Sequence, residues 1–123
     1  MTASVPLRFG STNPDLLVGL AVARGVRIED APPDLVAALD ALIAERAAVD
    51  FPPEAVRKGI RDLLRHGGFK PTGRNKPASE YLAKAAAEGR FPRINNVVDV
   101  CNHVSLLSGF PISLLDLVAA LEG

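Results

Sequence analysis

Within residues 95–108, read as a helix, Asn95, Asn96, Asp99, Asn102 and His103 fall within about 120° of one another. Three asparagines and an aspartate are poor interior helix formers, because short polar side chains compete with the helix for its backbone. Collecting them on one stripe therefore needs another reason, and two are open. One is a polar network that pins the helix to neighbouring loops, with Asp99 and His103 pairing at i, i+4. The other is a ligand-facing surface of hydrogen-bonding groups. By chemistry alone the network is the better supported. A hydrolytic site would need a positioned water and donors for a developing oxyanion, and neither a metal nor a covalent nucleophile is obligatory. Asn102 could orient the water or an α-amino group. Cys101 is a poor nucleophile candidate: it shares an apolar arc with Val97, Val98, Val100, Val104 and Leu107, and His103 two positions on points elsewhere. His103 itself reads as an Asp99-paired structural histidine rather than a general base.

The elements that must position this stripe follow from punctuation by proline and glycine. Pro32-Pro33-Asp34 opens a helix with Leu35, Val36, Leu39, Leu42 and Ile43 on one stripe, ending near Val49. Pro52-Pro53-Glu54 opens a second, with Val56, Ile60, Leu63 and Leu64 inward and Arg57, Lys58, Arg61 and Arg65 opposite; Gly67-Gly68 ends it, with His66 suited to the helix dipole. Lys76-Pro77-Ala78-Ser79-Glu80 opens a third that Gly89 stops, and Gly109 and Pro111 close the fourth. The tail from Ile112 to Leu121 has the spacing of a short helix. Towards the N-terminus, Ser4 to Phe9 is extended in character. Leu16 to Arg24 alternates a bulky set (Leu16, Val18, Leu20, Val22) with a small one (Leu17, Gly19, Ala21, Ala23), which predicts a strand. Two strands followed by helices give an expected α/β (α+β) fold, a small sheet with several packed helices in a single domain over residues 1–123.

Composition narrows the function classes. The 123 residues are 48% hydrophobic with a net charge of zero, and no apolar run approaches the roughly 20 residues of a membrane-spanning helix, so no membrane partner is expected. No basic and apolar leader opens the chain, which makes the cytoplasm the expected compartment. One cysteine excludes an intrachain disulfide. Two histidines without ligand spacing give no zinc site, so no metal or cofactor is expected. Zero net charge conceals an asymmetry: between Arg57 and Arg93 ten basic residues stand against three acidic ones, +7, and the remainder carries −7. Such a segment is either an electrostatic footprint for phosphate or a solvated face balanced by the acidic half.

The run Arg93-Ile94-Asn95-Asn96-Val97-Val98-Asp99-Val100-Cys101-Asn102-His103-Val104, followed by Leu106, Gly109, Pro111 and Asp116, resembles the signature helix of the B3/B4 module, the tRNA-editing domain of the phenylalanyl-tRNA synthetase beta subunit. Its freestanding relatives are more similar still, through Lys76-Pro77-Ala78-Ser79-Glu80-Tyr81-Leu82 and the front end at Val18 to Val26. The resemblance implies tRNA binding and trans-editing, hydrolysis of the ester between a wrongly attached amino acid and the terminal adenosine. A non-catalytic RNA-binding or assembly module is the alternative. A Thr-Asn pair lining the family's amino-acid pocket corresponds to Cys101 and Asn102, and a histidine after the Gly-x-Pro turn corresponds to Ser113, with Asp116 retained. Asn102 is thus the expected catalytic group, and Cys101, Asn102, Ser113, Asp99 and Asn96 are the expected substrate contacts. Arg65, Lys70, Arg74, Lys76, Arg90 and Arg93 are the expected contacts to tRNA phosphates. A full module is considerably longer, so the chain is expected to match its N-terminal portion, and an incomplete sheet would favour a homodimer.

Overall fold

In a computed structural model of the chain, residues 12–66, 68, 70, 75–117 and 119 are described. Among these described residues the main helices are α1 (Pro33–Ala47), α2 (Glu54–His66), α3 (Ala78–Ala87) and α4 (Asn96–Ser108). The prolines and glycines do what their geometry dictates. Pro33 occupies the first turn of α1, where its missing N–H costs nothing. Gly89 and Gly109 follow α3 and α4 at φ +72° and +82°, a left-handed conformation that a side chain resists.

The expected α/β fold is corrected: among the described residues there is no strand, and the architecture is helical. Leu16 to Arg24 has no regular structure, and apart from the half-buried Leu16 both of its alternating sets face solvent, with Leu17 94% and Leu20 65% exposed. Alternation marks a segment able to line one face of a sheet, but a strand needs a neighbour for its backbone groups, and no described segment supplies one. The strand expected at Ser4 to Phe9 lies outside the described residues. The expected tail helix does not begin at Ile112, since the backbone from Pro111 to Asp116 is irregular, but Leu117 and Ala119 are helical; Val118 and Leu121 lie outside the described residues.

α1, α3 and α4 pack pairwise against one another. Their core contains Leu42, Ala86 and Leu106, with Ile43 and Phe91 against it, and Leu39 is wholly buried. α3 contributes a face of small residues, Ser79, Ala83 and Ala86, which lets two helices approach it closely. The cost of that choice is a buried Ser79 hydroxyl with no partner among the described residues. α2 does not share in this triangle. A two-pronged ion pair ties it to α3, with Arg61 Nε and Nη2 donating to Glu80 Oε2 and Oε1 at 2.9 and 2.5 Å.

The α1–α2 corner and the end of α4 form one joint. Arg46 in the last turn of α1 donates from Nε to the Leu106 carbonyl (3.1 Å) and from Nη2 to the Leu107 carbonyl (3.0 Å), and its guanidinium lies 4.1 Å from the centre of the Phe51 ring. Phe51 precedes Pro52 through a cis peptide, and Pro52 is buried beneath Gly109. A Cβ at Gly109 would stand 3.1 Å from Pro52 Cβ and 3.4 Å from Phe51 Cζ.

This joint can be probed by one methyl group. Gly109→Ala meets both the left-handed backbone penalty and Pro52, an expected loss of about 2–4 kcal/mol. Gly89→Ala meets only the backbone penalty, about 1–2 kcal/mol, because its Cβ would enter open space. Urea unfolding of the two variants measures the difference; equal losses would mean that Pro52 does not press on Gly109.

Candidate functional site

The polar stripe of α4 is occupied from its first residue. Asn95 caps the helix, its side-chain oxygen accepting from Val98 N at 2.9 Å. Asp99, 3% exposed, reaches back to accept from Ile94 N at 2.9 Å, so the chain is fixed on both sides of the cap. Asn96 acts away from its own helix. Its backbone N–H donates to Glu29 O (2.8 Å), its Oδ1 accepts from Glu29 N (3.1 Å), and its Nδ2 donates to Arg27 O (2.9 Å). These three bonds pin residues 27–29 across the start of α4. The network reading of the stripe therefore holds at its N-terminal half, where loops and helix are laced together. The expected Asp99–His103 pair is not formed, because the Asp99 carboxylate is turned to Ile94 N and the cap geometry takes precedence over the i, i+4 neighbour.

The second half of the stripe is different. Asn102 and His103 are half-buried and make no side-chain hydrogen bond among the described residues. Cys101 is half-buried; its Sγ lies 3.9 Å from the Ile112 carbonyl, and burial pushes the thiol above its ordinary pKa. Ser113 and Asp116, on the irregular segment beyond Gly109, are exposed. The structure thus brings Cys101 beside the segment that carries Ser113, and it separates Asn96 and Asp99, which hold backbone, from Asn102, which does not.

The apolar arc of α4 is not its buried face: Val100, Val104 and Leu107 are 48%, 42% and 52% exposed, while Asp99, Ser105 and Leu106 are buried. An isolated helix pattern says which residues share a face; the neighbours decide which face is covered. Here Arg46 draws the Leu106 side of α4 against α1.

The basic segment is largely neutralised in place. Arg57 forks onto Asp50 at 3.1 and 3.3 Å; Lys58 and Arg65 share Asp62 at 2.9 and 2.7 Å; Arg61 holds Glu80. Arg90 bonds Glu88 at 2.5 Å, with Lys84 3.9 Å from the same carboxylate, and Arg93 pairs with Asp40 of α1. Asp50 and Asp40 come from the acidic half, so the asymmetry of the sequence is partly cancelled by folding. The Lys58 ammonium bonded to Asp62, with Arg65 beside it, holds that carboxyl below the usual range, and Arg90 does the same for Glu88. Of the expected phosphate contacts, Lys70 and Lys76 have no ion pair among the described residues, and Arg74 lies outside them. Arg93 also edges an open hollow with Asp30, Asp40 and Asp99, an acidic lining that repels phosphate. His66 ends α2 as expected, its Nε2 3.4 Å from Thr12 Oγ1. No group of three His, Cys, Asp or Glu among the described residues could hold a metal ion, and no described helix is long and apolar enough to cross a membrane. Compared with known proteins, the chain matches no family model, no curated protein and no solved structure.

The two halves of the stripe should respond differently to truncation. Asn96→Ala is expected to cost about 1–3 kcal/mol and to speed hydrogen exchange at the Glu29 amide, while Asn102→Ala should stay within about 0.5 kcal/mol of the parent. Denaturant titration with exchange-detected NMR reads both, and protection at Glu29 that survives Asn96→Ala would refute the staple. The thiol supplies a pH test. A raised pKa keeps Cys101 protonated through neutral pH, so alkylation by iodoacetamide should be slower than that of an unstructured cysteine peptide. The inflection of its rate should lie above the ordinary cysteine value of about 8.5. A faster reaction at pH 7 would mean an activated thiolate.

Proposed function

We propose that the chain is a tRNA-binding element, related to the B3/B4 module through the residues of α4, that binds without hydrolysing the aminoacyl ester by itself. The observation that carries this reading is the division of labour on α4. Asn95, Asn96 and Asp99 are bonded to backbone, burial pushes the Cys101 thiol above its ordinary pKa, and Asn102, with His103 next to it, makes no side-chain hydrogen bond among the described residues. A carboxamide donates and accepts but does not take up a proton at neutral pH, so it suits recognition of an α-amino group or a ribose hydroxyl. The phosphate contacts fall first to Lys70 and Lys76. The paired cations around them can be recruited, since an exposed ion pair is worth only about 0–1 kcal/mol and a phosphate offers a better partner.

A second reading is favoured by the same free carboxamide. In a trans-editing deacylase Asn102 would orient the attacking water, with Cys101 and Ser113 bounding the amino acid.

Fluorescence anisotropy with labelled tRNA, repeated across salt concentrations, tests the binding. Two to four phosphate contacts predict a slope of log K against log salt of about −1.5 to −3.5. Lys70→Glu with Lys76→Glu should flatten it. A panel of mischarged tRNAs then separates the readings. Binding with no deacylation supports the first; turnover that Asn102→Ala abolishes supports the second. Absence of salt-dependent tRNA affinity overturns both.

A further inference from the structure

Away from α4, a cleft of about 290 Å³ opens between the α1–α2 corner and the exposed side of α3. It is close to the lower end of the roughly 300–1,000 Å³ common for small-ligand sites. Its walls mix two kinds of chemistry. Phe51 and Tyr81 supply rings, and Arg46, Arg57, Lys76 and Lys84 outnumber the carboxylates of Asp50 and Glu80.

Most of these groups are already committed. One side of the Phe51 ring carries the Arg46 guanidinium, which is itself bonded to the Leu106 and Leu107 carbonyls. Arg57 is forked onto Asp50, and Glu80 is held by Arg61. What remains for a ligand is narrow. Tyr81 is 42% exposed, Lys76 has no ion pair among the described residues, and Lys84 has only a loose 3.9 Å approach to a Glu88 that Arg90 bonds more tightly. Tyr81 and Lys84 stand three apart on α3 and so share a face, and Lys76 precedes the helix by two residues. An open ring flanked by two available ammonium groups suits a planar group carrying phosphate: the ring stacks on the plane and the ammonium groups meet the charge.

We infer that this cleft binds a nucleotide, its base stacked on Tyr81 and its phosphate held by Lys76 and Lys84. The nucleotide can belong to an RNA strand or be free. Its assignment to a strand rests on the tRNA reading above; the cleft and its chemistry do not.

The composition provides the probe. Tyr81 is the sole tyrosine and there is no tryptophan, so intrinsic emission excited near 280 nm reports on this ring alone. Titrations of the full chain with AMP, a single-stranded RNA hexamer and inorganic phosphate, corrected for absorption with N-acetyltyrosinamide, separate the sources. Saturable quenching by the hexamer identifies a strand and saturable quenching by AMP a free nucleotide; either supports the site. Phosphate alone should leave the emission unchanged. Lys76→Gln and Lys84→Gln should each weaken the half-saturation concentration by roughly three- to tenfold, while circular dichroism shows that both variants stay folded. No quenching by either nucleotide ligand, or quenching indifferent to both substitutions, overturns the inference. Anisotropy-detected tRNA binding without a change in Tyr81 emission would overturn this site and leave the tRNA reading standing. Quenching by AMP in a chain that does not bind tRNA would do the reverse.

Discussion

Two carbonyl groups at the end of α4, those of Leu106 and Leu107, accept hydrogen bonds from a cation on another helix, and much of the molecule's geometry is organised around those bonds. A helix leaves its last carbonyls without intrahelical donors, and burial makes such orphans expensive. Arg46 resolves this with two charge-assisted bonds while placing its positive charge at the negative end of the α4 dipole. The same guanidinium covers Phe51, so the chain leaving α1 turns against the end of α4. Pro52 then fills the space that Gly109 leaves by lacking a side chain. Around this joint the small face of α3 closes the triangle. Lysine in place of Arg46 could reach one carbonyl as a point charge, but it lacks the planar fork that reaches both while stacking on a ring.

The opposite end of α4 is fixed by other means. Asn95, Asn96 and Asp99 spend their hydrogen-bonding capacity on backbone at the point where three segments meet: the helix start, the Phe91–Ile94 approach and residues 27–29. Both ends of α4 are therefore clamped, and the free polar groups, Asn102 and His103, lie between the clamps. That is a favourable arrangement for recognition. A side chain on a helix fixed at both ends loses little further freedom on binding, whereas one on a loose segment would have to be ordered first.

The legibility of this structure in its sequence follows how local each determinant is. Proline at a first turn and glycine past a last turn act within a few residues, and all four helices fall where Pro33, the Pro52-Pro53 pair, Pro77, Gly89 and Gly109 place them. The network character of the α4 stripe was accessible for the same reason, although Asn95, read as a helix-interior residue of that stripe, is the N-cap. What failed depended on distant partners. Leu16 to Arg24 carries a sheet-like alternation that no described neighbour completes. The outward turn of Val100, Val104 and Leu107 follows from which side of α4 packs against α1 and α3, and the pattern within α4 alone does not specify that. The pairing of Arg93 with Asp40 and of Arg57 with Asp50 likewise joins parts of the chain whose charges the linear count treated as opposed blocks.

The outward valines and leucine of α4, together with Leu17, Leu20 and Ile28, are in water while the chain is folded. The heat capacity of unfolding arises from apolar surface newly exposed, so surface that is already wet contributes nothing to it. A chain of this length with so many large aliphatic side chains outside its core should have a flatter stability curve than its hydrophobic composition suggests. Its folded state would then weaken only gradually on cooling, and any partner that covered those side chains would restore the missing curvature.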